Sequence, residues 1–445
     1  MTQATGGANR LAVAGLIAIL VVYCALATLQ SFATRLQWGP DEPGHIIYVQ
    51  SLALDHRFPT LTHGEEENAY VPGSARTHES HQPPLYYAFA AIVWRAFSRL
   101  PDQTVVFTDS TGAQQRFRVP GPVRPVRLLS VALGAIALLF TWATARAAFP
   151  SRPALWLSGT ALTAFTPMFT YINGVINNDA LLTVAFTAAA WQWARMTRFG
   201  LTGRNAIVLG ALLGLAMNVK ETAVALVPLA LLVLGLAPTD RPWPRRPGSM
   251  VVVLGITLAL AAWWSIRKWV LYGSPLVYPY IYPLLGLPEE QRAMLLHALP
   301  ERIFLFTFLP ADVVERHMDL ALVSRFLITI SVLAAGGLAF AFLRRKKAGM
   351  PRCEALSLIV WLLTAGSVLL GLMRNVMAVD WRMGTSGGRY LVCVLPLLAL
   401  AAARGLSALS GDGRWAKPGL AVICLLMLAT NVLTILATAA EYGTL

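Results

Sequence analysis

The stretch "LAVAGLIAILVVYCALATLQSFATRLQWGPDEPGH" (Leu11–His45) decides how the chain is read. It opens with about twenty apolar residues, the length a helix needs to cross the hydrocarbon core of a bilayer. The run ends near Arg35 and is followed by two adjacent carboxylates, two prolines and a histidine. Asp41 and Glu42 either perform chemistry at a membrane boundary or merely solvate the start of another helix. Gly39 and Pro40 end the first run, and Pro43 suits the first turn of a new helix. Asp41 or Glu42 then stands near the positive end of that helix, where an acid caps it or is kept ionised.

The rest of the composition agrees with a membrane reading. Of 445 residues, 56% are hydrophobic and 13% charged, against about 25% charged in soluble domains. A soluble globular protein is excluded. Apolar runs of helical length recur, whereas the ten-residue alternation of a membrane barrel does not, so an all-α polytopic fold is expected. Eleven spans are expected, at roughly 11–33, 124–147, 153–172, 178–199, 205–219, 221–238, 250–270, 321–343, 355–373, 390–409 and 419–439. The two around Lys220 share the break "NVKET" (218–222) and read either as two spans or as one kinked excursion.

Charge sets the orientation. Basic residues fall in alternate breaks, so one side carries 17 basic and 3 acidic residues and the other 19 of each. Short basic loops favour the cytoplasm. This predicts a multi-pass protein of the inner (plasma) membrane, with a cytoplasmic amino terminus and an extracytoplasmic carboxy terminus. The net charge of +14 then faces membrane lipid, and no nucleic-acid partner is needed. A cleavable signal peptide ending near "ALA" (25–27) would leave the same topology, although the apolar run is longer than a typical signal core. Cys24, Cys353, Cys393 and Cys424 all lie in or beside apolar runs, which implies neither a disulfide framework nor a cysteine metal site.

The outer side is expected to hold long loops at 34–123 and 271–320 and a shorter one at 374–389. They contain almost all the acids and every histidine, so function is sought there. The whole of 1–445 reads as one transmembrane domain, ending in "EYGTL" without a sizeable soluble carboxy-terminal domain.

Within the first loop, Gly44–Leu54 has the pattern of an amphipathic helix along the membrane surface. His45, His56, His63, His78 and His81 share the loop with "GEEEN" (64–68). Yet "HESH" (78–81) is not the HExxH zinc pattern, and no third ligand is marked by spacing. No metal is assigned, and the acidic run reads as a solvated loop. "HQPPLYY" (81–87) starts a second interfacial helix carrying Trp94, Arg95 and Arg99, and brings His81 and Gln82 toward the polar pocket of Asp41.

Four further groups are candidates. Asn173, Asn177, Asn178 and Asp179, in "NGVINNDALL" (173–182), either cap the next helix or form a polar wall for hydroxyl groups. Lys220 and Glu221 either pair with each other, snorkel, or face a cavity. Arg267 and Lys268 are interfacial anchors or phosphate ligands. In "TSGGRYL" (385–391), Gly387 and Gly388 permit close backbone approach. Arg389, beside Tyr390, is an anchor or a bidentate phosphate ligand.

Taken in order, "DEPGH" (41–45), "HQPPLYY", "NNDA" (177–180), "YGSP" (272–275) and "GRYL" (388–391) resemble the GT-C superfamily of membrane glycosyltransferases. That superfamily includes protein O-mannosyltransferases and aminoarabinose transferases, and the chain is most similar to a poorly characterised bacterial branch. The resemblance implies the GT-C fold and transfer of a sugar from a polyprenyl-phosphate donor, with inversion at the anomeric carbon. By motif position the catalytic base falls on Asp41, with Glu42 tuning it or binding the acceptor. Lys220, Arg267, Arg389 and Tyr390 would bind the donor phosphate. His45, His81, Gln82, Asn178 and Asp179 would line the sugar and acceptor pocket. No cofactor is implied; a divalent metal is the alternative, because oligosaccharyltransferases of the wider superfamily need one. The acceptor expected is a glycan or glycolipid. A transporter or flippase of a lipid-linked saccharide is the competing class, motivated by the short spans around Lys220. A scaffold without chemistry would leave these groups as separate caps and anchors.

Overall fold

The computed structural model describes residues 2–60, 78–108, 113–238, 246–275, 300–344, 350–378, 387–411, 413 and 415–444. His63, the acidic run 64–68, His297 and residues 379–386 lie outside them.

The molecule is mostly helical, and its apolar runs become its helices. In chain order these are α1 (Thr2–Ala33), α2 (Glu42–Ala53) and α3 (Leu85–Ala96), then a β-hairpin of β1 (Gln103–Thr108) and β2 (Gln114–Val119). There follow α4 (Val123–Ala148), α5 (Pro153–Phe165), α6 (Pro167–Asn173), α7 (Asp179–Phe199), α8 (Gly203–Met217), α9 (Leu226–Leu236) and α10 (Arg246–Tyr272). The last long helices are α11 (Leu320–Leu343), α12 (Arg352–Ala378), α13 (Leu395–Leu409) and α14 (Ala416–Tyr442).

Of the eleven expected spans, α1, α4, α10, α11, α12 and α14 are each long and apolar enough to cross a bilayer. Gly387–Cys393 and α13 together make a seventh if the 78° bend between them lies within one span. Of the others, 178–199 is the continuous 21-residue helix α7, whereas 153–172 and the two runs around Lys220 are broken or short, for identifiable reasons. The run 153–172 divides at Thr166, whose ψ of 123° is extended, because Pro167 disfavours helical geometry in the residue before it. The excursion around Lys220 is two helical pieces joined through an extended Lys220, with a 3-10 turn at Glu221–Ala225 leading into α9.

Helix α4 lies along α7, α8 along α10, and α11 along α13. The last pair crosses through glycines: a Cβ on Gly405 would come within 2.0 Å of the Ala334 carbonyl, and one on Gly337 within 2.0 Å of the Gly405 carbonyl. Small residues at such a crossing let backbones approach, which is how helices associate where lipid is as apolar as their own side chains. Buried threonines within the helices satisfy their hydroxyls by donating one turn back, as Thr141 does to the Ala137 carbonyl and Thr183 to the Asp179 carbonyl. Leucine, isoleucine and valine side chains populate the outer surfaces of the spans.

Two features of the first loop depart from expectation. Helix α2 does not lie on the surface with a free polar face. Glu42, His45, Tyr48, Val49 and Ser51 are all buried, because α2 packs against α3 and Tyr48 stacks on Tyr87 with ring centroids 3.8 Å apart. The β-hairpin was not expected, although "QTVVFT" is rich in β-branched and aromatic residues and "RFRV" (116–119) alternates with a strand's period of two. Its register runs from Gln103 opposite Val119 to Thr108 opposite Gln114. Phe107 and Phe117 project onto Trp38, at 5.0 and 5.3 Å between centroids. This anchors the hairpin beside the connection from α1 to α2.

Candidate active site

That connection is where the chain makes its sharpest local choices. Gln37 and Asp41 have φ of 69° and 56°, the left-handed region in which non-glycine residues are uncommon and Asn and Asp best tolerated. Asp41 occupies the N-cap position of α2, with Pro43 in its first turn, but its side chain makes no capping hydrogen bond. Its carboxylate instead accepts from Arg389, Nη2 to Oδ2 at 2.6 Å, across 348 residues of sequence. Arg389 Nη2 also reaches the Tyr390 phenolic oxygen at 3.2 Å.

Tyr390 links this pair to a second. Lys220 Nζ lies 5.1 Å from the centre of the Tyr390 ring and donates to Asp179 Oδ1 at 2.6 Å. The Asp41 side chain is 37% exposed and that of Arg389 14%, whereas those of Lys220 and Asp179 are at 9% and 3%. The cluster is therefore open at Asp41 and closed at its far end. Burial pulls the Lys220 ammonium down, but Asp179, Tyr390 and Glu79 outweigh it, so its pKa is raised. Lys220 does not pair with its neighbour: Glu221 bonds to Lys268 of α10.

The expected sugar-pocket residues are buried beside this cluster. Asp179 opens α7, with its amide donated to Asn177 Oδ1 at 2.8 Å. Asn178 Nδ2 faces Gln82 Oε1 and the Val219 carbonyl at 3.5 and 3.4 Å, and its Oδ1 has no hydrogen-bond donor among the described residues. Gln82 is held by its backbone, whose carbonyl accepts from Tyr48 at 3.0 Å. The His81 carbonyl accepts from Trp264 Nε1 at 3.0 Å. His45 Nδ1 stands 2.9 Å from the Tyr87 hydroxyl and 3.8 Å from Glu79 Oε2. Burial, and then the Glu79 charge, push the Tyr87 phenol well above its usual range, so it meets His45 as a neutral hydroxyl.

Two expected members have protein partners outside this cluster, although Arg267 Nη1 is buried with no hydrogen-bond partner among the described residues. The Arg267 guanidinium donates to the Phe58 and Pro59 carbonyls at 3.4 and 3.1 Å and lies over Trp264, tethering the chain that leaves α2. Glu42 faces away from Asp41 into the protein. Its oxygens accept from Arg127 Nε and Nη2 at 2.7 and 2.6 Å, from the Ile176 amide at 3.0 Å and from the Gly39 amide at 3.2 Å. Four donors fill a carboxylate's acceptor positions, and both side chains are fully buried. The close approach allowed by Gly388 is to protein as well: a Cβ there would sit 2.1 Å from the Ile303 carbonyl, so this glycine seats the Arg389 segment against residues 300–308.

Arg127 and Glu79 were not singled out from sequence. Arg124 and Arg127 stand together at the start of the apolar run of α4, and the sequence does not show which of them is buried and needs a partner. Nothing in "HESH" distinguished Glu79 from a solvated loop acid. Among the described residues no three His, Cys, Asp or Glu side chains converge as metal ligands.

Comparison with known proteins bears on this arrangement at two levels. The family model of dolichyl-phosphate-mannose-protein mannosyltransferases matches residues 121–266, which include Asp179 and Lys220 but neither Asp41 nor Arg389. A search of curated sequences gives no match. In structure, ArnT from Cupriavidus metallidurans, solved bound to undecaprenyl phosphate, superposes with a TM-score of 0.51 at 14% identity, over 96% of this chain and 76% of that one. The Archaeoglobus fulgidus oligosaccharyltransferase, solved with zinc and sulfate, gives a TM-score of 0.50 at 14% identity, over 96% of this chain and 53% of that one. The chain has the fold of the GT-C membrane glycosyltransferases.

Proposed function

We propose that the protein is an inverting glycosyltransferase that moves a sugar from a polyprenyl-phosphate donor to a glycan or glycolipid acceptor at the extracytoplasmic face. The observation that carries this reading is the convergence of Asp41 and Arg389 with Lys220 and Asp179 around Tyr390. One exposed carboxylate beside fixed cations is what displacement of a sugar phosphate requires. The bound polyprenyl phosphate of ArnT supports the donor class.

In the proposed reaction the acceptor hydroxyl attacks the anomeric carbon from the side opposite the phosphate. Its proton passes to Asp41, the new glycosidic bond forms, and the bond from the anomeric carbon to the phosphate oxygen breaks with its electron pair. Polyprenyl phosphate leaves carrying that charge. General-base assistance of this kind typically contributes 10²–10⁴-fold. Arg389 and Lys220 stabilise the charge developing on the departing phosphate, with the Tyr390 hydroxyl as a further donor. Because Asp41 is paired with Arg389 in the described state, a phosphate that draws Arg389 away would free the carboxylate to take the proton. In this reading Asn178, Gln82 and His45 would meet sugar or acceptor hydroxyls.

The test is purified protein in liposomes, supplied with labelled polyprenyl-phosphate mannose, glucose or galactose and an extract of membrane glycolipids. Release of polyprenyl phosphate by wild type and its absence in Asp41→Asn is the expected result. Movement of the intact labelled lipid between leaflets, with the sugar-phosphate bond never cleaved, would establish the transporter instead.

A further inference from the structure

All five N–H donors of Arg127 are engaged. Two go to Glu42, and three go to the carbonyls of Ser31, Thr34 and Arg35, at 2.7, 2.7 and 2.9 Å. Those carbonyls close the C-terminal end of α1, where a helix leaves acceptors unsatisfied and its dipole favours a cation. The Gly39 and Ile176 amides complete the Glu42 carboxylate. One buried node therefore ties together the end of α1, the start of α2, α4 and the turn before α7.

The residues left between these ties have little freedom. A Cβ on Gly39 would lie 2.8 Å from Val175, and the Pro40 carbonyl faces Asn177 Nδ2 at 3.5 Å. Asp41 is next in the chain, adjacent to the clamped Glu42, and holds a left-handed backbone (φ 56°). Such a conformation persists in a non-glycine residue where its surroundings over-determine it.

We propose that Arg127 and Glu42 are the positioning pair of the base. They touch no reacting group; they hold the Asp41 backbone in the conformation that aims its carboxylate at Arg389 and the open side of the cluster. This rests on the reading of Asp41 as base, and it gives the second carboxylate of "DEPGH" a role distinct from chemistry. An Arg-to-Lys change keeps the charge but loses the planar fork that spans Glu42 and the α1 carbonyls, so Arg127→Lys isolates the geometric function.

The experiment compares wild type, Arg127→Lys, Glu42→Gln and Asp41→Asn. For each, binding of a C55 polyprenyl phosphate counts intact sites, and turnover of labelled polyprenyl-phosphate sugar is expressed per intact site. Arg127→Lys is expected to bind the lipid stoichiometrically, with unchanged donor KM and kcat reduced about 100-fold, the effect of displacing a reacting group by about an ångström. The acid limb of its kcat/KM–pH profile, which reports the free enzyme in which Asp41 meets Arg389, is expected to move upward. Arg389 is the charged partner of Asp41, with Asp179 and Lys220 beyond Tyr390, and a carboxylate displaced from its arginine protonates at higher pH. A mere loss of folded enzyme would leave that limb in place.

Wild-type kcat per site with an unmoved limb in both Arg127→Lys and Glu42→Gln overturns the proposal. So does failure of Arg127→Lys to bind lipid, which would show that the pair supports the whole domain and not the base. If Asp41→Asn itself turns over normally, the proposed function fails first. If Asp41→Asn is inactive while Arg127→Lys is normal, the positioning role alone fails.

Discussion

Asp41 and Glu42 are neighbours in sequence, and each is paired with an arginine, yet the two pairs belong to different physical regimes. Glu42 and Arg127 are fully buried, and every donor and acceptor between them is used. Asp41 and Arg389 share a single hydrogen bond, and the carboxylate is more than a third exposed. A saturated buried pair has nothing left to offer a ligand and is destabilising to break. An open pair can exchange one partner for another, as an active site demands. Two adjacent carboxylates thus divide into one enclosed by protein donors and one partly exposed beside Arg389.

The sharpest way to break the comparison is Asp41→Asn, which keeps size and removes the proposed base. It is expected to lower turnover by about 10²–10⁴-fold, with the melting temperature in detergent unchanged. The converse is Glu42→Leu, which strands the Arg127 charge in the interior. Breaking one side of a buried pair costs about 3–5 kcal/mol, so thermal unfolding should show a large loss of stability, where Asp41→Asn shows none. Arg389→Gln comes next. On the proposed mechanism it removes one charge-assisted contact to the donor phosphate, worth about 1.5–3 kcal/mol, and should weaken donor kcat/KM by about 10–100-fold in initial-rate measurements. The smallest effect is expected at Arg118, which meets Asp102 at 3.5 Å on the outer face of the hairpin with its side chain 81% exposed. Arg118→Gln should change stability by less than about 0.5 kcal/mol and leave turnover as in wild type.

Much of this was legible in the sequence because its signals are local. Apolar runs marked the helices, Pro43 marked the start of α2, and Thr166-Pro167 was a visible point of breakage, although the run around it reads as a single span. The order of short motifs singled out Asp41, Asp179 and Arg389, and a charge between two apolar runs singled out Lys220. What stayed hidden depends on which residues meet. Lys220 is adjacent to Glu221, and the natural pairing from sequence is between them. Packing instead gives Lys220 to Asp179 and Glu221 to Lys268, because the extended backbone at Lys220 turns consecutive side chains to different neighbours. Gly388 looked like a place for a ligand to approach backbone and is filled by residues 300–308. Arg267, an equal candidate to Arg389 on sequence grounds, meets the Phe58 and Pro59 carbonyls through Nη2, a pairing no local signal marks.

The stretch Leu11–His45 shows where the division falls. Its composition alone determines that a long helix ends there and that two carboxylates follow a membrane boundary, since hydrophobicity and proline geometry act within a few residues. Whether Asp41 caps α2 or faces a site is decided by Arg389, 348 residues away. Whether Glu42 is free is decided by Arg127 and the Ile176 amide. Charges in an apolar medium must find partners, and only the folded arrangement of helices determines which partners lie within reach.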